Sequence, residues 1–218
     1  LEFRRVLFRS SALGTTSVTL TDMTSAYSTI AGLGVKVPQH GILSMRDHDG
    51  IEIEIPGHVA PKAVVAARYA WQIVDILRDN ADRHRGMLTG SIADLGRPAM
   101  VKTGTENDVR DTYTVGAIPQ LVVGVWMGNA DNSRMAWTVT SSGGPLRIWK
   151  RFLTHAIAIK SWPATDWTRP DGMARAKVCE DQSRLGGEGF NLDRPGCPFA
   201  WSYEWVRSEE HTSELQSR

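Results

Sequence analysis

The sequence predicts an α+β fold in which an antiparallel sheet packs against helices. Three strand-sized apolar runs, Ala99 to Gly104, Thr112 to Ile118 and Leu121 to Met127, follow one another closely. Only Pro119-Gln120 separates the last two, a connection suited to a tight antiparallel turn. Segments with helical apolar spacing lie on both sides of this group, giving the order helix, hairpin, helix, three strands, helix.

Taken in order, Thr19-Leu20-Thr21-Asp22 resembles a capping box with Asp in the usual Glu position. Behind it Met23, Ala26, Tyr27, Ile30 and Ala31 recur at helical spacing, and Gly32 and Gly34 end the run. Ile42 to Arg46 leads into the turn cluster Asp47-His48-Asp49-Gly50, after which Ile51, Ile53 and Ile55 alternate with Glu52 and Glu54. That pattern predicts a hairpin with one wet face. Pro61 is expected to open a second helix with an apolar stripe of Ala66, Tyr69, Ala70, Ile73 and Leu77. Arg83 to Gly96 reads as a polar loop. The three strands follow, and Ile148, Trp149, Phe152, Leu153, Ala156 and Ile157 mark a third amphipathic helix.

From Ser161 onward prolines and glycines break the pattern, and residues 161–206 are expected to form an irregular tail whose tryptophans still pack. Cys179 and Cys197 are either a bridge in an oxidising compartment or two unrelated thiols. The 218 residues are 41% hydrophobic and 22% charged, with a net charge of +1. That composition is globular, and nothing in it points to nucleic acid or an acidic membrane surface as the main partner. No apolar run reaches the length of a spanning helix, and the cysteines lack the spacing of a zinc site.

Both ends read as foreign to the domain. Arg207 to Ser217 back-translates to a DNA string whose complementary strand encodes Leu1 to Ser10. Residues 1–10 and 207–218 are therefore expected to be translated sequencing adapter, leaving 11–160 as the folded unit and 161–206 as its tail. A basic arm and an acidic tail are the ordinary alternative. On the adapter reading the chain is an internal fragment.

Chemistry concentrates at Lys102-Thr103-Gly104-Thr105, at the end of the first predicted strand. After it come Asn107-Asp108, Arg110-Asp111, Val115-Gly116, Pro119, Leu121-Val122 and Gly124-Val125-Trp126-Met127-Gly128-Asn129. Ahead of it stand Ala12-Leu13-Gly14, Val18-Thr19, Ser25-Ala26-Tyr27 and Gly34-Val35. In this order, over about residues 11–159, the chain closely resembles the transpeptidase domain of class A penicillin-binding proteins. The resemblance implies the C-terminal half of a penicillin-binding or serine β-lactamase-like fold.

That family works with Ser-x-x-Lys, Ser-x-Asn and Lys-Thr-Gly. Only the last is present, because no serine here precedes a lysine by three and no Ser-x-Asn occurs. The resemblance implies that Lys102, Thr103 and Thr105 grip the carboxylate of a stem peptide ending in D-Ala-D-Ala. Gly104 would leave room for it along the strand, and the Thr105 N–H would form part of an oxyanion hole. β-Lactams would be the other ligands, with no metal or cofactor. The longer protein is then expected to be a bifunctional glycosyltransferase and transpeptidase, anchored at the extracytoplasmic face of the membrane, while this fragment alone is inactive. A non-catalytic penicillin or muropeptide sensor is the second reading, and a secreted serine β-lactamase the third. Asp111 is open to a ligand contact, an ion pair or a turn cap, and Tyr113 and Trp126 are read as sheet packing. The histidines His40, His48, His58, His84 and His155 show no ligand spacing.

Overall fold

A computed structural model describes residues 17–55, 59–78, 90–106, 108–179 and 201–207. Its elements are α1 (Leu20–Ala31), β1 (Val35–Lys36), β2 (Lys62–Ala63), α2 (Ala67–Arg78), α3 (Gly90–Ala93), β3 (Met100–Thr105), β4 (Asp111–Ile118), β5 (Leu121–Gly128), α4 (Pro145–Lys160), β6 (Met173–Cys179) and β7 (Trp201–Arg207). The order β3-β4-β5 forms one antiparallel sheet, with Ile118 opposite Leu121 across the two-residue turn. The expected α+β layering is what the chain adopts.

The two faces of that sheet are buried differently because side chains alternate along a strand. Met100 and Ala117 face α2, clustering with Trp71, Val74 and Trp167. Val101 and Ile118 face α4, clustering with Leu146, Trp149 and Leu153, all three fully buried. Each such side chain contributes about 1.5–3 kcal/mol when withdrawn from water. Two glycines permit the close approach. A Cβ on Gly124 would stand 2.2 Å from Thr24 Oγ1 of α1, and one on Gly116 would stand 2.4 Å from the Met100 carbonyl and 2.8 Å from the Trp149 ring.

The α1 boundary follows its cap. Thr19 Oγ1 accepts the Asp22 N–H at 3.0 Å and donates to Asp22 Oδ2 at 2.8 Å, while Gly32 closes the other end. Two expectations about stripes need correcting. Pro61 does not open α2, which begins at Ala67; Pro61 instead precedes β2, which pairs with β1. The buried face of α2 is Ala70, Trp71 and Val74, with Tyr69 and Ile73 exposed. Burying the large Trp71 indole turns the helix by about one residue from the anticipated stripe. On α4 the inward set is Pro145, Leu146, Trp149 and Leu153, and Ile148 and Phe152 face outward.

The predicted 42–55 hairpin is present in shortened form, with the Asp47 N–H donating to the Ile51 carbonyl at 2.9 Å and the Ile53 N–H to the Met45 carbonyl at 2.8 Å. Asp47 Oδ1 accepts the N–H groups of Asp49 and Ile51, at 3.0 and 2.8 Å, but the ladder shrinks to one bridge between Arg46 and Glu52. Ile51 and Ile53 are exposed, so the hairpin has no packed face, and an unsupported two-stranded ladder is marginal in water. Of the expected 83–96 loop, 83–89 lies outside the described residues; 90–93 is the short helix α3, with Ala93 buried beneath α4.

The tail expected to be irregular is instead tied down and partly strand. Trp167 is buried and its Nε1–H donates to the Ala31 carbonyl at 2.8 Å. Gln120 donates to Pro163 O and Thr165 Oγ1, and Arg97 to the carbonyls of Trp162 and Pro163. β6 and β7 then pair along seven residues each, and Trp205 meets Trp71 edge-on with centroids 6.0 Å apart. Prolines mark where strands stop, but pairing between segments so distant in the chain leaves no local signal. The pairing reaches Arg207, the first residue of the segment read as adapter. Cys197 and the side chain of Cys179 lie outside what the structure describes.

Candidate functional site

Lys102, Thr103, Gly104 and Thr105 form the outer four residues of β3, opposite Val115, Thr114, Tyr113 and Thr112 of β4. β3 ends the three-stranded sheet, so among the described residues its second edge has no strand beside it. Burial changes abruptly along it. Met100 and Val101 are 0% and 2% exposed, whereas Lys102, Gly104 and Thr105 are exposed and Thr103 is half-buried. The strand is thus core for two residues and open ledge for four.

Alternation splits the four side chains. Lys102 and Gly104 share the face of Met100, towards α2, and Thr103 and Thr105 share the face of Val101, towards α4. What all four have in common is the strand edge, where an extended ligand would meet cation, hydroxyls and backbone together. The Lys102 ammonium donates to the Thr103 carbonyl at 2.7 Å, using one of its three donors. A Cβ built on Gly104 meets no described atom within 4 Å, so the sheet face there is open. The cavities found around α1, α4 and the Asp75–Arg78–Asp166 cluster are not lined by any of the four.

The surroundings explain the ledge's stiffness. Glu106 Oε2 accepts the N–H groups of Asp108 and Arg110 and so shapes the link from β3 to β4. Within it Val109 is buried with φ 54, in the left-handed region that a β-branched residue occupies only under constraint. Asp108 pairs with Arg134 at 2.6 Å, and Met135 N–H donates to the Val109 carbonyl at 3.0 Å, joining this link to the segment after β5. Asp111 accepts the Trp126 indole N–H at 2.6 Å, which makes it a structural partner. Trp126 lies opposite Tyr113 in the ladder, but it is exposed and so is not the packed residue expected of it. Burial, and then the charge of Asp111, push the Tyr113 hydroxyl above its ordinary pKa.

One contact was not foreseen from sequence. The backbone N–H of Ser141 donates to Thr105 Oγ1 at 3.3 Å, bringing the 140–144 turn to the end of the ledge. Thr140-Ser141-Ser142-Gly143-Gly144-Pro145 carried the local signal of a hydroxyl-stabilised turn before a helix, but not its distant partner. Among the described residues no group of three or more His, Cys, Asp or Glu side chains is placed to hold a metal ion. No described helix is long and apolar enough to cross a membrane.

The chain matches the family model of the penicillin-binding protein transpeptidase domain over residues 6–154. It is 35% identical over 209 residues to penicillin-binding protein 1A of Neisseria meningitidis serogroup B, covering 88% of this chain and 25% of that protein. Against penicillin-binding protein 1A of Rickettsia prowazekii it is 30% identical over 183 residues, covering 75% of this chain and 23% of the relative. The chain thus spans about a quarter of the length of these curated relatives. The fold is similar to that of penicillin-binding protein 1A from Haemophilus influenzae, with a TM-score of 0.68 at 18% identity over 90% of this chain and 33% of that one. It is also similar to penicillin-binding protein PonA1 from Mycobacterium tuberculosis, with a TM-score of 0.64 at 24% identity over 75% of this chain and 44% of that one. With the sheet, its flanking helices and the Lys-Thr-Gly strand in place, the chain belongs to the transpeptidase-domain family of the class A penicillin-binding proteins.

Proposed function

We propose that this chain supplies the substrate-gripping strand of a serine D-Ala-D-Ala transpeptidase that cross-links peptidoglycan outside the cytoplasmic membrane. The observation that carries the reading is Lys102-Thr103-Gly104-Thr105 on a strand edge that is unpaired among the described residues, anchored by the buried Met100 and Val101. An extended D-alanyl peptide lies along that edge. Its terminal carboxylate takes charge-assisted hydrogen bonds from Lys102 and the threonine hydroxyls. The Thr105 N–H faces the carbonyl that becomes tetrahedral.

The nucleophilic serine stands on a segment of the longer protein outside this chain, as does the membrane anchor. Its Oγ adds to the penultimate D-Ala carbonyl, terminal D-Ala leaves with a proton, and an ester to serine remains. An amine of a neighbouring peptide then attacks the ester, forming the cross-linking amide and releasing the serine. A β-lactam enters the same sequence through its ring amide and stops at the ester.

Hydrogen bonds to a charged group contribute about 1.5–3 kcal/mol each. Lys102→Ala in the longer protein should therefore slow acylation by a fluorescent penicillin by about 10- to 150-fold. Labelling at the wild-type rate would remove Lys102 from the site. The chain expressed alone should show no covalent penicillin labelling, and labelling of it would place a working nucleophile within these 218 residues.

A further inference from the structure

We infer that the 140–144 turn is a positioning device for the Thr105 hydroxyl, with Thr140 as its key residue; this rests on the functional reading above. A hydroxyl has one proton to donate and two lone pairs, and its rotor is free unless a neighbour fixes it. The Ser141 N–H occupies one lone pair of Thr105 Oγ1 at 3.3 Å. The O–H is thereby turned away from Ser141 and is polarised as a donor by the bond it accepts. An anionic group lying along the ledge meets a hydroxyl that is already oriented.

The N–H can do this only if the turn itself is rigid, and four hydrogen bonds make it so. Thr140 Oγ1 accepts the Gly143 N–H at 3.0 Å and lies 3.2 Å from Ser142 Oγ, and the Thr140 carbonyl accepts the Gly144 N–H at 2.9 Å. The Ser141 carbonyl accepts the Leu146 N–H at 3.0 Å, which stitches the turn to the first residues of α4. Pro145 and Leu146 are buried there, so the turn is seated on the core. A Cβ on Gly144 would stand 2.9 Å from Met127 Sδ, which shows how closely the turn lies on β5. The path runs from the packed start of α4, through Thr140 and the Ser141 N–H, to Thr105. Thr140 is a positioning residue, since it reaches no reacting atom.

The test is a double-mutant cycle on penicillin acylation rate in the longer protein that carries the complete site. Thr140→Val should slow acylation by about two- to tenfold, the range of one neutral hydrogen bond, and Thr140→Ser should restore it. In a Thr105→Val background, Thr140→Val should cost nothing further, because the hydroxyl it positions is gone. Ser141→Pro, which deletes the donating N–H, should slow acylation and again have no effect once Thr105 is Val. Wild-type rates for Thr140→Val and Ser141→Pro, or losses that simply multiply with that of Thr105→Val, would overturn the inference. A Thr140→Val protein with a lowered unfolding midpoint passes the question to Thr140→Ser and Ser141→Pro. If Lys102→Ala and Thr105→Val both acylate normally, the functional reading itself has failed, a different result from failure of the turn alone.

Discussion

Two glycines of one sheet, Gly116 and Gly104, separate the fold from the site, and the alanine substitution at each should have opposite consequences. At Gly116, in the central strand β4, a Cβ would lie 2.4 Å from the Met100 carbonyl, 2.8 Å from Trp149 Cζ2 and 2.9 Å from Val101 Cβ. One of the three is backbone, so no rotamer change relieves it, and overpacking of a filled core costs about 1–3 kcal/mol. Gly116→Ala should fall at or above the top of that range, a large part of the roughly 5–15 kcal/mol that holds a domain together. At Gly104 the added methyl meets no described atom within 4 Å. Stability there should stay level or rise by about 0.5 kcal/mol, from the lower freedom of the unfolded chain. Yet on the proposed function the methyl would stand on the face beside the ligand's path, and acylation by penicillin in the longer protein should drop. Urea unfolding followed by tryptophan fluorescence gives the first quantity and labelling kinetics the second. A Gly116→Ala protein as stable as wild type would refute the packing argument, and Gly104→Ala acylating normally would show that no ligand runs along β3.

Thr19→Ala removes the acceptor of the Asp22 N–H and should cost about 0.5–2 kcal/mol in urea unfolding; no change would mean that α1 is not held by its cap. Thr114 is fully buried, and its hydroxyl has no protein partner among the described residues, so Thr114→Val should stabilise by about 1 kcal/mol. A destabilised Thr114→Val would contradict this. Trp167→Phe deletes the N–H that donates to Ala31 and should cost about 1–2 kcal/mol, and an unchanged midpoint would show that the 162–167 segment contributes nothing. Burial holds the Tyr27 hydroxyl, and burial followed by the Asp111 charge the Tyr113 hydroxyl, above the ordinary value of 10.0. With folded values raised, their contribution to stability is whole below pH 10 and is lost as pH climbs through the folded values. Tyrosinate absorbance of the folded protein should therefore rise later than that of the unfolded chain, and coincident curves would contradict this.

The sheet was legible because its signals are local. Residues 99–128 alternate or run apolar in strand-length units, and Pro119-Gln120 leaves room for nothing but a tight turn. The Lys-Thr-Gly-Thr tetrapeptide was legible for the same reason, and its exposure follows from its being the polar end of an apolar strand. What escaped is what depends on distance. Whether α2 would bury Tyr69 or Trp71 is decided by β3, which lies well downstream in the chain. β6 and β7 find each other across the whole stretch that separates Cys179 from Trp201, and Ser141 finds Thr105 from beyond β4 and β5. The 42–55 hairpin departs in the other direction, being shorter than its pattern suggests. Its alternation is real, but among the described residues no element covers Ile51 and Ile53, and alternation without a covering layer supports only a short ladder.

The boundary between Val101 and Lys102 carries the functional logic of the chain. A binding strand must be rigid to orient donors and must also leave one edge unpaired to receive a ligand, and an unpaired edge is ordinarily a place where strands fray or aggregate. β3 meets both demands by dividing its length. Met100 and Val101 are sealed between Trp71 and Val74 on one side and Trp149 on the other, so the backbone enters the ledge already fixed. β4 holds every residue of the ledge in register from one side, with Thr112, Thr114 and Val115 buried behind it. The Ser141 N–H pins the far end. On the proposed function the cation and hydroxyls would then sit on a backbone already held in register, which would lower the ordering cost of binding. The charged Lys102 also makes the open edge a poor partner for another copy of the sheet, because a second strand would have to desolvate it without supplying a carboxylate. On the proposed function an anionic extended peptide would supply that carboxylate, so the residue that discourages strand pairing would be the one that favours the substrate.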